Sequence, residues 1–263
     1  MKRSSFINTA VTASLAGSVL SAVANTGNQK KSPAEFYELR IYTLKDETQQ
    51  KLVEDFFQQA AIPALNKLGS KNIGVFTEMK PQGQTKIFVL IPFNSIEAFL
   101  KVEDNLLKDA TFQKAGADYL QAPATAPAYD RIESSLLQAF TTTPKLMVPE
   151  KKQRFFELRR YESASELTGK KKIEMFNQAG ETAIFKRLGF NPVFFAETLV
   201  GEMRPNLTYM ITFDDMEDHD AKWKSFGSDP EWKRISSMPE YSDKKNVSRI
   251  TSTFLVPAAC SQI

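Results

Sequence analysis

The sequence predicts an α+β chain: two tandem ferredoxin-like β-α-β-β-α-β domains that form one pseudo-dimeric α/β barrel. Three observations carry this expectation. Blocks of sequence recur in the same order at an offset of 118 to 120 residues. Each copy interleaves four strand-type runs with two helical stripes. A sheet of that order carries both helices on one face, so its other, half-apolar face must be covered in water.

The repeat is read directly. Phe36-Tyr37-Glu38-Leu39-Arg40-Ile41-Tyr42 returns as Phe155-Phe156-Glu157-Leu158-Arg159-Arg160-Tyr161. Leu68-Gly69 returns as Leu188-Gly189, and Val75-Phe76-Thr77-Glu78 as Phe194-Phe195-Ala196-Glu197. Asp109-Ala110-Thr111-Phe112 matches Asp229-Pro230-Glu231-Trp232, and Arg131-Ile132-Glu133-Ser134 matches Arg249-Ile250-Thr251-Ser252. These blocks define domains at 35–140 and 154–257. The segment 141–153 contains Pro144 and Pro149 and reads as a short, stiff linker, so the domains should touch.

In the first repeat a strand is expected at 35–43, where Leu39 and Ile41 alternate with Glu38, Arg40 and Tyr42. A helix follows at 48–68, with Leu52, Val53, Phe56, Phe57, Ala60 and Ala61 on one stripe. Pro63 should kink it, and Gly69 supplies the left-handed stop. Strands at 72–79 and 85–92 flank the turn-type segment Lys80-Pro81-Gln82-Gly83-Gln84. A helical region at 95–116 and a strand at 128–139 complete the unit. The second repeat places strands at 155–161, 192–199, 207–213 and 246–255, with helical regions at 165–188 and 215–237.

Composition excludes several classes. The chain has 263 residues, 42% hydrophobic and 25% charged, with a net charge of +3, and no run is long and apolar enough for a membrane helix. One Cys excludes an internal disulfide, and one His excludes a multi-histidine metal site. Cys260 reads as an incidental thiol on a loose tail. Residues 1–24 read as an export signal: Lys2 and Arg3, a mildly apolar run, then Ala22-Val23-Ala24, with Asn25 as the mature N-terminus. Lys2-Arg3-Ser4-Ser5-Phe6-Ile7 is similar to a twin-arginine motif with Lys for the first Arg, which leaves the export route open. Without Lys2 and Arg3 the charge falls to +1, too little to steer the protein onto nucleic acid.

The opening strand Tyr37-Glu38-Leu39-Arg40-Ile41-Tyr42-Thr43-Leu44 resembles that of NIPSNAP domains, which reads Y-E-L-R-x-Y-x-L. Leu188-Gly189 and Asp229-Pro230-Glu231-Trp232 also resemble that family; repeat one departs from it at Ala110 and Phe112. The resemblance implies a dimeric α/β-barrel fold, whose wider superfamily includes cofactor-poor monooxygenases, haem-degrading enzymes, decarboxylases and peroxidases. It carries no general catalytic motif. Its eukaryotic members are linked to mitochondria and vesicles, a context that a bacterial-type export signal does not fit.

If Leu39 and Ile41 face the helices, then Glu38, Arg40 and Tyr42 face the barrel interior, and so do Glu157, Arg159 and Tyr161. Glu78 and Glu197 recur on the second strands and join them as ligand-binding candidates. Buried carboxylates and guanidinium groups must pair, so a structural ion-pair network is favoured over a ligand site. The opposite assignment puts the charges beneath the helices, which burial cost disfavours. His219 is the one conventional acid–base candidate, and its surroundings, Asp215 to Asp220, suggest a solvated acidic helix start. The acidic cluster lacks calcium-loop spacing, so no metal is assigned. Trp223, Trp232 and Phe226 read as core. No dinucleotide, phosphate-loop or nucleophile-elbow motif occurs. The residues name no cofactor and leave the oligomeric state open. Two functions remain: a binding protein that uses the barrel or its rim to hold a small molecule or partner, or an oxygenase-like or isomerase-like enzyme acting on a small anionic or aromatic compound. An open lumen with the arginines and tyrosines converging would favour the enzyme.

Overall fold

The computed structural model describes residues 33–263, so the export-signal expectation for residues 1–24 lies outside the described residues. The first repeat runs β1 Phe36–Leu44, α1 Glu47–Phe56, a π-helical segment Phe57–Ala61, α2 Ile62–Lys67, β2 Gly74–Glu78, β3 Thr85–Phe93, α3 Ile96–Lys108, α4 Ala110–Ala115, α5 Ala117–Leu120 and β4 Arg131–Ala139. The second runs β5 Phe155–Glu162, α6 Glu166–Asn177, α7 Glu181–Arg187, β6 Asn191–Val200, β7 Asn206–Phe213, α8 Met216–Ser228, α9 Pro230–Ser236, a 3₁₀ turn Pro239–Tyr241, α10 Asp243–Asn246 and β8 Arg249–Pro257.

Local chemistry explains the breaks. The kink expected at Pro63 is a wider π turn just before it, where the backbone N–H of Ile62 reaches Phe57 and the proline has no donor to lose. Gly69 and Gly189 end their helices in the left-handed region, at φ of 99° and 75°. The second helical region breaks in both repeats at an aspartate. Asp109 accepts hydrogen bonds from the N–H groups of Thr111 and Phe112, and Asp229 from those of Glu231 and Trp232. The Asp-Pro-x-Trp sequence is thus a helix cap with Pro230 in the first turn. Arg187 grips Asp229 through both nitrogens at 2.8 and 2.9 Å, and holds its carboxyl down to about 2.

The eight strands close into one antiparallel barrel in the order β1-β3-β2-β8-β5-β7-β6-β4. Each repeat supplies four neighbouring strands, and the seams between repeats are β2·β8 and β4·β6. The lumen is packed by Tyr37, Leu39, Phe76, Phe88, Leu90 and Leu137 of the first repeat against Phe156, Leu158, Phe194, Met210 and Leu255 of the second. Tyr37 meets Phe194, and Phe76 meets Phe156, with ring centroids 5.2 and 4.9 Å apart. Each repeat keeps its own second core between sheet and helices, around Tyr42, Phe57 and Val89 in one and Tyr161, Phe176 and Tyr209 in the other.

The tail is docked rather than loose. Ala258 and Gln262 donate to the carbonyls of Val75 and Ile73, and the side chains of Ser261 and Gln262 accept from Val75 and Ile73 in return. Cys260 packs on the first repeat's core, where burial raises its pKa, so it stays a thiol.

The β4·β6 seam depends on Gly201. It sits at φ 143°, and a Cβ there would lie 2.7 Å from the Ser135 Cβ and 3.0 Å from its Cα. Gly201→Ala is expected to destabilise the fold by about 2 kcal/mol through strain and overpacking. An unchanged thermal midpoint would show that this seam does not close as described.

Candidate functional site

The structure reverses the expected face assignment. Leu39 and Ile41 point into the lumen, whereas Glu38, Arg40, Tyr42, Glu157, Arg159 and Tyr161 lie beneath the helices. The reason is space and partners. An eight-stranded barrel is just wide enough for side chains to fill, and here apolar side chains fill it. The helix side offers hydrogen-bond donors and some solvent. Arg40 grips Glu38 through two nitrogens at 2.7 and 2.9 Å, and Ser134 donates to the same carboxylate at 2.7 Å. Tyr42 meets the hydroxyl of Tyr119 at 3.3 Å.

The second repeat repeats the pair and elaborates it. Arg159 donates to Glu157 at 2.6 Å and to the Tyr161 hydroxyl at 3.1 Å. Its guanidinium lies 4.6 Å from the Trp223 ring centroid. Glu157, 1% exposed, also accepts from Ser252 at 2.6 Å and from the Trp223 indole at 3.1 Å. His219 stands 3.5 Å from Glu157 through Nε2 and 2.8 Å from Asp220 through Nδ1, packed on Phe213 and Phe254. It is therefore not the solvated residue that its acidic neighbours suggested. Both ring nitrogens face carboxylates. The aspartates around it cap and pair: Asp215 accepts from the Asp218 N–H, and Asp218 pairs with Lys222.

Glu78 and Glu197 do not correspond. Val75 pairs with Val89, while Phe195 pairs with Tyr209, so the structural counterpart of Glu78 is Thr198. The offset is 120 here, as it already is at Leu68 and Leu188, so the glutamates match in sequence but not in the sheet. Glu197 points outward to Lys170 at 2.6 Å. Glu78 alone of the eight ligand-binding candidates reaches the lumen mouth, where a cavity of about 200 Å³ also receives Lys86, Glu133 and Arg160. Its Oε2 is buried without a partner, and burial raises its pKa against the pull of Lys86.

Three residues escaped the sequence reading: Lys172, Glu181 and Tyr209, which are 1%, 3% and 0% exposed. Their signal lay in the repeat itself. The same positions in the first repeat are Val53, Ala61 and Val89, so one core is apolar where the other is charged. Lys172 Nζ bonds Asp243 at 2.8 Å and lies 3.9 Å from Glu181 and 5.3 Å from the Tyr161 ring centroid. Burial works against the lysine's charge, but Glu181 and Asp243 more than offset it and its pKa rises. Burial pushes Glu181 up to about 7. Glu181 Oε2 and Arg159 Nε are both buried without a hydrogen-bond partner.

The two seams also differ. At β4·β6, β6 runs on to Val200 and Gly201 sits against Ser135. At β2·β8, β2 stops at Glu78, opposite Leu255. Beyond it a cavity of about 380 Å³ opens, lined by Glu78, Met79, Met216, Ser252, Thr253 and Phe254. Ser252 and Phe254 connect this cavity to Glu157 and His219.

The NIPSNAP family profile matches residues 37–142 and again 156–262. The chain belongs to the NIPSNAP family. Among solved structures, this NIPSNAP chain is similar to a candidate monooxygenase from Fusobacterium nucleatum subsp. nucleatum, with TM-score 0.57, 12% identity, and 86% of this chain and 93% of that one covered. A candidate monooxygenase from Lactobacillus acidophilus gives TM-score 0.56 and 10% identity over 85% and 94% of the two chains. A NIPSNAP family protein from Agrobacterium tumefaciens gives TM-score 0.36 and 16% identity, covering 41% of this chain and 97% of its own. At these identities the likeness is one of fold. No curated protein matches the sequence.

Arg159→Ala strands the buried Glu157 and is expected to cost about 3 kcal/mol. Arg40→Ala should cost less, because Arg40 is more exposed and has no indole beneath it. Equal urea midpoints for wild type and Arg159→Ala would refute the placement. Glu181 carries a pH signature. Between its ordinary value of 4.5 and about 7 the folded chain holds a proton that the unfolded chain has lost. Stability contributed by this group therefore falls as pH rises through that window and levels off above it. Urea unfolding of Glu181→Gln at pH 5 and pH 7.5 should lack this component; an identical pH difference in both proteins would contradict it.

Proposed function

We propose that this chain is an exported binding protein that holds a small, largely apolar molecule in the open seam between β2 and β8. The observation behind the reading is the inequality of the two seams: β6 and Gly201 fill one, and the early end of β2 leaves about 380 Å³ in the other. That volume suits a small ligand. Met79, Met216 and Phe254 supply an apolar wall. Glu78 supplies an unpartnered buried oxygen, which a ligand hydroxyl or amine would satisfy. The filled lumen counts against an enzyme acting inside the barrel. The ion-paired group of Glu157, Arg159, Trp223 and His219 stiffens the wall behind Ser252 and Phe254.

A second reading draws on Glu181. A carboxyl ionising near pH 7 beside a buried lysine is suited to proton transfer, as an isomerase-like or oxygenase-like enzyme needs.

The test is purification of the full chain from its native compartment, followed by mass spectrometry for retained small molecules. The wild type should carry a ligand, Glu78→Gln less of it, and Met79→Trp, which fills the seam, none at an unchanged thermal midpoint. An empty wild type, or equal retention by Met79→Trp, overturns the seam. Intact mass reads the address: a chain starting at Asn25 supports export, and one retaining residues 1–24 overturns it. Conversion of the retained compound by wild type but not by Glu181→Gln would establish the enzyme reading.

A further inference from the structure

A second, larger groove lies beside the linker between the repeats. It has a volume of about 770 Å³ and is walled by residues of 142–154, the outer side of α7 and the start of β6. None of its lining residues belongs to the β2·β8 seam.

Its charge is only partly balanced: Asp214 feels the field of Arg154 but is itself paired with Lys152 at 2.6 Å. Arg154 lines the groove and is only 8% exposed. Among the described residues it makes no ion pair and no side-chain hydrogen bond, and its Nε is buried without a partner. Thr143 lines the same groove, and its Oγ1 is also buried and unpartnered. Lys186 of α7 adds a second cation without an ion-pair partner among the described residues. The other two lysines there are engaged, Lys145 with Glu35 at 3.4 Å and Lys152 with Asp214 at 2.6 Å. Glu150 is exposed and pairs with neither Arg154 nor Lys186.

A guanidinium taken out of water without a hydrogen-bonded counter-charge is costly, and a fold that needed only packing would place an apolar side chain there. The planar fork of an arginine matches a carboxylate through two parallel hydrogen bonds. An orphaned hydroxyl beside it offers a third donor. Met147, Val148 and Pro192 give the groove an apolar stretch among its polar lining, and the volume far exceeds that of a simple ion. We infer that this groove binds an amphipathic carboxylate, its head on Arg154 and its apolar body along Met147, Val148 and Pro192. This inference does not rest on the seam, and either reading can fail alone.

Calorimetric titration of the full chain with octanoate, 1-octanol and inorganic phosphate tests it. Octanoate should bind saturably at one molecule per chain, at least about tenfold tighter than octanol or phosphate, because only it offers both head and body. Arg154→Gln should weaken octanoate at least about tenfold, and Lys186→Gln about threefold. Val148→Trp, at an exposed linker position lining the groove, should abolish binding by filling it. The inference is overturned if no probe saturates, if octanol or phosphate matches octanoate, or if Arg154→Gln binds octanoate as tightly as wild type. Should a thermal scan show that Arg154→Gln does not fold, the two exposed variants decide, and unaltered octanoate binding in both overturns it.

Discussion

The structure depends on one burial: the bare sheet face of each repeat is covered by that of the other. Tyr37 against Phe194 and Phe76 against Phe156 bridge the repeats across the lumen, with strand pairing at both seams. A four-stranded sheet with helices on one side exposes an apolar surface that water penalises. Fusing two such units in one chain removes the penalty without a separate encounter, and closure leaves the barrel no free edge.

That burial decides where charge can go. The lumen is packed with apolar side chains, among them Leu39, Ile41, Phe88 and Leu158. The Glu-Arg-Tyr sets are pushed to the other face, where Ser134 and Ser252 donate from the neighbouring strand and the arginines keep partial access to solvent. Ionisable groups stand at the ends of the barrel: Glu78, Lys86, Glu133 and Arg160 gather around a small opening, and Glu35 accepts from the lumen residue Tyr37. The cost of an unpaired charge, more than hydrophobicity alone, sorts the two faces of each strand.

The two halves have diverged within the same frame. The first keeps an apolar helix–sheet core around Val53, Ala61 and Val89. The second places Lys172, Glu181 and Tyr209 there and surrounds them with Tyr161, Trp232 and Asp243. Arg187 and Asp229 in the second half stand where Lys67 and Asp109 stand in the first, so the clasp between helices is shared while the core beneath it is not. A repeat that must fold beside its twin can carry buried charge in one half while the other half stays apolar.

Much of this was written in the sequence. The recurrence of Phe36–Tyr42 as Phe155–Tyr161, the strand alternation, and the glycine and aspartate punctuation all act over a few residues. They determine the elements, their order and the duplication. Period two divides a strand into two faces but does not say which face is which, and here the tertiary structure chose the opposite of the expected one. It also placed Glu78 and Glu197 on opposite sides of the sheet, seated His219 against Glu157, and left β2 too short to fill its seam. Those outcomes depend on which surfaces meet across the barrel, a long-range competition between filling space and pairing charge that no local pattern encodes.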